Sequence, residues 1–384
     1  MRKKPTPANE NSPGPGASLQ TFMDLGWDPR GFLERLDTVY EIIDRRTHQR
    51  QKFGPLIRAN KIQLGFLKLV MRMVLRGGAI RLIVLKSRKH GFSTLVMCLI
   101  YDLATHIPNF RGGVLSADAD ATRVLRDMLD RYYMWTPPLM RPELAKNNTR
   151  ELRFGKLHVA DINAGEIGLE SQIQCRTARG KNPLTGDDIR GVLLSEFGKY
   201  NYDRMQQTNL MTSVMNSIPP SGASIVVAES TAQGTDNMFH DTWQIAEENA
   251  KNGREPLPGE WVPYFAPAHA DPMNVREVEP GYDWADWPPE DILFETALVN
   301  ECNVSPQFLR WRRNKIREIG FDYRKNAEDF PCRPVDAFMA TMMSFIPPSM
   351  LDTAQKYVQK PAGTFSGRLE AHDAPFGADA VVGW

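Results

Sequence analysis

The sequence predicts an α/β fold in which a mainly parallel β-sheet is flanked by helices, with an antiparallel edge and a helical linker subdomain. The main observation is an order of apolar strand, polar turn and helix that repeats along the chain, which is typical of a parallel sheet with helices on both faces. A second observation is a group of short apolar runs between Thr149 and Thr177, which indicates antiparallel strands at an edge. Helical periodicity returns at residues 289–320 and predicts the helical subdomain.

The spacing of apolar residues predicts the elements in order. Residues 32–69 are expected to form helical segments, because apolar side chains there recur at intervals that place them on one helical face. These side chains are Leu33, Leu36, Tyr40 and Ile43. The first strong strand is expected at 79–85, and the helix after it at 93–106. Three further pairs of strand and helix are expected at 113–116 and 120–133, at 192–194 and 203–217, and at 224–228 and 237–250.

The remaining segments are shorter or irregular. Edge strands are expected at 151–154, 158–160 and 172–176, where Gly and Asn separate the apolar runs. Prolines and acids become frequent after residue 256, so residues 256–289 are expected to be mostly irregular, with 261–265 as one further strand.

The composition is that of a globular protein. Its 384 residues suffice for two or three domains at roughly 100 to 200 residues each. Hydrophobic residues make up 42% and charged residues 24%, and no uncharged apolar run reaches the roughly 18 residues that span a bilayer, so a soluble protein is expected. Residues 1–18 lack the apolar segment of a secretion signal and are rich in Pro, Gly, Ser and Asn, which predicts a disordered arm.

Cysteine, histidine and net charge exclude some classes of site. The four cysteines and seven histidines are dispersed, which argues against a disulfide framework and a zinc site. A metal ion is therefore expected to arrive with a phosphate ligand. The net charge of +1 does not by itself indicate nucleic acid, although Lys and Arg concentrate at residues 304–325, for which a solvated helix face is the alternative.

A basic turn joins the 79–85 strand to the helix that follows it. It reads Lys86, Ser87, Arg88, Lys89, His90, Gly91, Phe92, Ser93 and Thr94. At such a turn, free backbone N–H groups and the positive end of the helix face an anion. Against the phosphate-loop pattern GxxxxGK[ST], Gly91 and Ser93 match, whereas Lys86 and Phe92 replace the first glycine and the lysine. The turn supplies three cations, and Ser93 offers a hydroxyl for Mg²⁺, so nucleotide binding and a plain basic turn both stay open.

Polar side chains end two other apolar strands. Ser195 and Glu196 follow the 192–194 strand, and a carboxylate at the carboxyl end of a parallel strand lies where ligands bind. Glu196 is a candidate to polarise an attacking water, and Ser195, in place of the usual Asp, is a candidate to reach Mg²⁺ through water. The 224–228 strand leads to Glu229, Ser230 and Thr231, which are candidates to sense a terminal phosphate. The alternatives are a surface glutamate and a Ser/Thr turn.

A side-chain amide, that of Gln63, precedes the expected strand at 79–85 that leads into the basic turn. Gln63 can hydrogen-bond both a donor and an acceptor on adenine, and the alternative is an ordinary glutamine on a helix surface.

Together these segments resemble the ATPase domain of the large terminase subunit of tailed bacteriophages, the motor that packages DNA into proheads. Residues 86–93 look like the family's deviant phosphate loop, Lys-Ser-Arg-x-x-Gly-[Phe/Tyr]-Ser. Residues 195–196 are similar to its Ser-Glu variant of Walker B, and residues 229–234 resemble its Glu-Ser-Thr-Ala-Asn-Gly coupling motif. Arg179-Gly180 looks like its Arg-Gly motif, and residues 307–313 and 329–338 resemble the passage that leads to the nuclease domain.

The resemblance implies a P-loop NTPase fold of the ASCE/RecA-like class and ATP hydrolysis coupled to translocation of double-stranded DNA, with ATP and Mg²⁺ as cofactors. The implied nucleotide-binding residues are Gln63 and the turn Lys86, Ser87, Arg88, Lys89, His90, Gly91, Phe92, Ser93 and Thr94. The implied catalytic residues are Glu196, Arg88 and Arg179, of which Arg179 acts on a neighbouring subunit. The implied coupling residues are Glu229, Ser230 and Thr231. The implied Mg²⁺ residues are Ser93 and, through a water, Ser195.

The resemblance also implies partners and a location. The expected partners are double-stranded DNA, the portal protein, the small terminase subunit and further copies of the chain in a homo-oligomeric ring, expected to be a pentamer when docked, with no membrane. The expected location is the cytoplasm of the infected bacterial host, with transient docking at the portal vertex of the prohead. The alternatives are a nucleotide-regulated DNA-binding or assembly subunit without turnover, and a helicase-like ATPase.

Four domains are expected on this basis. They are a disordered arm at 1–18, the P-loop ATPase core with N-terminal helices at 19–255, a linker or lid subdomain at 256–360, and the start of a truncated nuclease domain at 361–384. Nuclease activity is accordingly expected only in a longer protein.

Overall fold

The computed structural model describes residues 19–155, 168–179, 184, 188–200, 204–219 and 222–339. The expected arm at 1–18, the expected strand at 158–160 and the segment 361–384 lie outside these residues. Within the described ranges, no helix combines the length and the apolar character needed to cross a bilayer.

The described residues contain a two-stranded hairpin and an eight-stranded sheet. The hairpin pairs β1 (Glu41–Ile43) with β2 (Arg50–Lys52). The sheet strands are β3 (Ala79–Lys86), β4 (Arg111–Ser116), β5 (Leu144–Asn147), β6 (Glu151–Phe154), β7 (Gln172–Thr177), β8 (Gly191–Ser195), β9 (Ser224–Ser230) and β10 (Trp261–Ala266). Their order is β10, β3, β9, β8, β4, β7, β6 and β5. Neighbours from β10 to β7 are parallel and β6 and β5 are antiparallel, which confirms the predicted fold class.

Helices connect these strands and cover both faces of the sheet. They are α1 (Pro29–Thr38), α2 (Phe53–Ala59), α3 (Lys61–Arg76), α4 (Phe92–His106), α5 (Ala119–Trp135), α6 (Arg204–Asn216), α7 (Met238–Lys251), α8 (Pro289–Cys302), α9 (Pro306–Glu318), α10 (Tyr323–Asp329) and α11 (Pro334–Met339). Short 3₁₀ turns lie at Met23–Leu25, Pro138–Met140, Phe197–Lys199 and Ala268–Ala270.

Strand β3 shows why the central strands read as continuous apolar runs. Leu82 and Val84 belong to a core shared with α3 and α4, whereas Ile83 and Leu85 belong to a second core shared with α6 and α7. Because successive side chains of a strand point to opposite faces, a strand covered on both faces buries every position. The apolar runs at β8 and β9 follow the same rule, and each is buried along its whole length.

Helices α1, α2 and α3 confirm helical segments within residues 32–69, but the predicted helical face does not continue to Tyr40 and Ile43. Helix α1 ends at Thr38, and the chain then forms the β1 strand, where Ile42 and the exposed Ile43 have the branched side chains that favour extended backbone. Tyr40 is buried beside α4 instead, where its hydroxyl donates to the carboxylate of Asp102. The regular spacing of these apolar residues therefore continues past the end of α1 by coincidence.

The segment after residue 255 is partly continuous with the sheet. Strand β10 pairs along its length with β3, so the sheet extends past the predicted boundary at residue 255. Helices α8 and α9 then pack around a third core, in which Leu298 and Phe308 are buried. Buried ion pairs also join these two helices, with Arg312 2.7 Å from Asp291 and Arg313 2.6 Å from Glu295.

Candidate active site

The turn between β3 and α4 has a backbone shape that needs glycine. Gly91 has a φ of +72° and caps the N-terminus of α4. A Cβ atom built on Gly91 would lie 2.5 Å from Nε2 of Gln63, which is too close for a real contact. Lys89, two residues earlier, also has a positive φ, of 63°. The turn is therefore held in a tight form that exposes the start of the helix.

Backbone hydrogen bonds fix the first half of the turn from outside. The N–H of Ser87 donates to the carbonyl of Ala266 at the end of β10, at 3.0 Å. The N–H of Arg88 donates to the carbonyl of Asp329 at the end of α10, also at 3.0 Å. The Ser87 hydroxyl is buried and has no hydrogen-bond partner within the described ranges. These two backbone hydrogen bonds leave the second half of the turn, from Lys89 to Ser93, at the carboxyl edge of the sheet.

Lys86 is buried between two carboxylates. Its Nζ lies 2.7 Å from Oε1 of Glu196, after β8, and 2.9 Å from Oε2 of Glu229, in β9. Burial alone lowers the pKa of Lys86, but the charges of Glu229 and Glu196 outweigh it and hold the pKa above its ordinary value. The structure thus brings Lys86, Glu196 and Glu229 together. It pairs the lysine of the turn with the glutamate that is predicted to polarise a water.

Glu196 is held in the ionised form. Burial raises its pKa, but the charges of Lys86 and Lys199 outweigh this effect and lower the pKa to about 2. Lys199 lies 2.9 Å from the second carboxylate oxygen, Oε2. The backbone of Glu196 has a φ of 55°, a conformation that costs energy for a residue with a side chain and is common at functional sites. Sequence reasoning missed Lys199, although its position three residues after Glu196 was a usable signal.

Two serines share one carboxylate oxygen. The hydroxyl of Ser93, in the first turn of α4, donates to Oε1 of Glu229 at 2.6 Å. The hydroxyl of Ser195, at the end of β8, donates to the same atom at 2.7 Å. Hydroxyl and carboxylate oxygens are ligands that suit Mg²⁺. The described part of the chain holds no group of three His, Cys, Asp or Glu arranged to bind a metal.

Arg88 points away from this cluster, towards α10. Its Nε lies 3.0 Å from Oδ1 of Asp329, and its side chain is 45% exposed. Lys89 is exposed, and its carbonyl accepts a hydrogen bond from the guanidinium of Arg45. Sequence reasoning gave no role to Asp329 or Arg45, since both approach the turn from distant parts of the chain.

A cavity of about 270 Å³ opens beside the turn. Gln63, His90, Gly91 and Thr94 line it on the side of the turn, and Trp135 lines it on the side of α5. Gln63 is buried, and its Nε2 donates to the carbonyl of His90 at 2.8 Å. This bond leaves the side-chain carbonyl and a second N–H of Gln63 for a ligand.

The ring of His90 is buried in the wall of this cavity. Neither ring nitrogen has a hydrogen-bond partner among the described residues, although Oδ2 of Asp271 lies 4.0 Å from Nε2. Burial lowers the pKa of His90 to about 4, so the ring is neutral at pH 7. Phe92 is buried between Phe66 and His90, with ring centroids 5.1 Å and 6.3 Å away.

The other two predicted coupling residues, Ser230 and Thr231, lie at the end of β9 and directly after it. The hydroxyl of Ser230 accepts a hydrogen bond from the N–H of Gly198, at 3.1 Å, in the turn that follows Glu196. Thr231 is fully buried, and its hydroxyl has no hydrogen-bond partner in the ranges that the structure covers. Two residues later, Nε2 of Gln233 donates to Glu328 of α10 at 2.9 Å.

Arg179 lies apart from the cluster around Lys86. It is exposed and follows β7, which is two places from β8 in the sheet, and its neighbour Gly180 lies outside the described residues. The structure thus gathers Lys86, Ser93, Ser195, Glu196 and Glu229 at one edge and leaves Arg179 on the surface.

Strand β9 lies between β3, which leads into the basic turn, and β8, which leads to Glu196. This order places the turn and the acid at the same carboxyl edge of a mainly parallel α/β sheet, which is where ligands of such sheets bind. No protein-family model matches the sequence, and no curated protein matches it.

Solved structures similar to the chain include the large terminase ATPase domain of Thermus phage P74-26, with 13% identity, coverage of 69% of this chain and 92% of that chain, and a TM-score of 0.42. A mutant of that domain has 13% identity, coverage of 68% and 92%, and a TM-score of 0.41. The large terminase of bacteriophage HK97 has 13% identity, coverage of 75% of this chain and 54% of that chain, and a TM-score of 0.43. Similarity at this level assigns no activity and no residue role.

Proposed function

We propose that the chain is the ATP-hydrolysing motor of a phage terminase large subunit, which couples ATP hydrolysis to translocation of double-stranded viral DNA into the prohead. The observation that carries the proposal is the placement of Glu196. Its carboxylate, at the carboxyl end of β8, lies 2.7 Å from the cation that ends β3 and begins the glycine turn. The acid that we propose activates water and the turn that we propose binds phosphate therefore share one edge of a parallel sheet.

The phosphates of ATP would lie against the second half of the turn. The N–H groups at the start of α4 and the positive end of that helix favour an anion there. Lys86 and Arg88 are both held by carboxylates in the structure, so phosphate oxygens would replace Glu196, Glu229 and Asp329 as their partners. The adenine would enter the cavity lined by Gln63. Mg²⁺, held by Ser93 and by Ser195 through water, would neutralise charge on the phosphates.

Hydrolysis would then depend on the freed carboxylate. Lys199 stays 2.9 Å from Oε2 of Glu196 when Lys86 leaves, and the carboxylate can accept a hydrogen bond from a water. When Lys86 turns to a phosphate, Oε1 of Glu196 loses its partner and becomes available to orient that water. Nucleotide binding and activation of the base are thus linked through one lysine.

The test is ATP hydrolysis by the wild type and by Glu196→Gln, with and without double-stranded DNA. We expect DNA to stimulate the wild type, and the variant to lose hydrolysis by about 10² or more while it still binds ATP. An assembly subunit that holds ATP without turnover would show no hydrolysis in either protein. A helicase-like ATPase would be stimulated by single strands and would separate them.

The partners are also proposed. A motor grips the duplex through its phosphates, so DNA binding should weaken steeply as salt rises and should not depend on sequence. The portal protein, the small terminase subunit and a ring of identical chains, expected to be a pentamer, would assemble with it in the cytoplasm of the infected host.

In such a ring, Arg179 would act on the ATP of the neighbouring subunit, since it is exposed and distant from its own Glu196 in strand order. Mixing Arg179→Ala with Glu196→Gln chains should then restore part of the activity that each lacks alone. A mixture that is inactive at every ratio would contradict a role in trans.

A further inference from the structure

The register of the sheet places Glu229 beside Ser195. Strands β8 and β9 are parallel, and Ser195 is the partner of Glu229 across them. On its other side, Glu229 is the partner of Val84 in β3. Adjacent positions of paired strands project from the same face of a sheet. The carboxylate of Glu229 therefore lies level with the end of β8 but one strand closer to the basic turn.

Glu229 contacts three other residues of the cluster, Lys86, Ser93 and Ser195. Oε1 accepts hydrogen bonds from Ser93 at 2.6 Å and from Ser195 at 2.7 Å, and Oε2 lies 2.9 Å from Nζ of Lys86. The side chain is fully buried. A buried carboxylate needs compensation for its charge, and here two hydroxyls donate to Oε1 while the ammonium of Lys86 lies beside Oε2.

We infer that Glu229 is the carboxylate that positions Ser93 for Mg²⁺, a role that the residue at the end of β8 cannot perform because that residue is a serine. This inference rests on the proposed ATPase function, and Glu229 would act through Ser93 as a positioning residue. A carboxylate that accepts a hydrogen bond from the Ser93 hydroxyl leaves a lone pair of the hydroxyl oxygen directed towards the ion. Ser195, bonded to the same oxygen, keeps the carboxylate in place from β8.

The two hydroxyls and the carboxylate fit Mg²⁺, which prefers oxygen ligands and usually retains waters and phosphate oxygens. A rival role for Glu229 is only to balance the charge of buried Lys86. The two roles differ in a measurable way. If Glu229 only balances the charge of Lys86, its loss should change ATP binding both with and without a metal. If Glu229 positions Ser93, its loss should weaken the part of ATP binding that depends on Mg²⁺.

The experiment measures binding of a fluorescent ATP analogue to the whole chain, once in EDTA and once across a Mg²⁺ titration. In Glu229→Gln, which has nearly the same shape, we expect the apparent affinity for Mg²⁺ to fall by about 10-fold to 100-fold. Binding in EDTA should be unchanged or tighter, because Lys86 loses a competing carboxylate. Wild-type dependence on Mg²⁺ in a folded Glu229→Gln protein would overturn the inference.

Four further variants separate these two roles of Glu229. Glu196→Gln is the matched control, since it neutralises the other carboxylate of the same lysine, and it should lose hydrolysis but keep the wild-type dependence on Mg²⁺. Ser195→Asp combined with Glu229→Gln returns a carboxylate to the end of β8, and it should recover most of the lost affinity for Mg²⁺. Ser93→Ala should lose that affinity as well, and adding Glu229→Gln to it should cause little further loss, because both changes remove one interaction.

The outcomes separate the inference from the function on which it rests. If the wild type binds ATP neither in EDTA nor with Mg²⁺, the proposed function is wrong. If Glu196→Gln abolishes hydrolysis while Glu229→Gln leaves the Mg²⁺ dependence intact, the function stands and the inference fails. Should Glu229→Gln not fold, Glu229→Asp keeps the charge but shortens the reach to Ser93. It should then weaken Mg²⁺ about 10-fold, and a wild-type titration in that variant would count against the inference.

Discussion

Replacing Lys86 by methionine would remove the positive charge that holds the cluster together while filling a similar volume. Breaking a buried ion pair by removing one partner costs about 3–5 kcal/mol, because a charge is left buried without compensation. Two features place the expected loss near the lower limit. Glu196 keeps Lys199 and is 25% exposed, and Glu229 keeps its two serine donors. We therefore expect Lys86→Met to lower the free energy of unfolding by about 3 kcal/mol.

Urea unfolding followed by circular dichroism measures this loss, and Lys199→Met is the matched control. Lys199 pairs with the same glutamate from a position that is 32% exposed, so its loss should cost less than about 1 kcal/mol. ATP binding should also weaken in Lys86→Met, by the roughly 1.5–3 kcal/mol of a charge-assisted hydrogen bond to phosphate. A Lys86→Met protein as stable as Lys199→Met would refute the view that Lys86 neutralises both carboxylates.

Three further predictions follow from the turn and its acid. Arg88→Ala should weaken ATP binding by roughly 1.5–3 kcal/mol in calorimetry while changing stability by less than about 1 kcal/mol, because its pair with Asp329 is half exposed. Gly91→Ala should lower the free energy of unfolding by about 1–2 kcal/mol, since the added carbon meets Gln63 in a left-handed conformation, and wild-type unfolding would contradict the turn geometry. The pKa of Glu196 is lowered to about 2, so its contribution to stability is complete above its unfolded value near 4.5 and is lost as pH falls towards 2. The stability difference between the wild type and Glu196→Gln should therefore shrink over that range in urea titrations, and a constant difference would exclude this linkage.

The central fold was predictable because buried parallel strands carry an unambiguous pattern. Strands β3, β8 and β9 are mostly apolar, despite Arg81 within β3, and each ends at a polar residue, so both the sheet and the edge that carries the candidate site follow from the sequence. Strand β5 reads Leu-Ala-Lys-Asn and lies at the sheet edge, where half of its side chains are exposed, so it carries no such pattern and was missed. Residues 41–43 were assigned to a helix because a short hairpin strand gives too few positions to show its period.

The residue types of the site were predictable, but their pairings were not. The Lys86 and Glu196 side chains meet across 110 residues of sequence, and the Ser93 and Glu229 side chains across 136. These contacts depend on the order and register of β3, β9 and β8, which local patterns do not specify. Asp329 reaches Arg88 from outside the sheet altogether, through the packing of α10.

Helix α10 is attached to the sheet edge at two adjacent residues. Asp329 binds both the backbone and the side chain of Arg88 in the basic turn, and Glu328 accepts a hydrogen bond from Gln233 in the segment after β9. A ligand that draws the Arg88 side chain away from Asp329 would break the ion pair but leave the backbone bond between the same two residues, so the basic turn and α10 would stay joined.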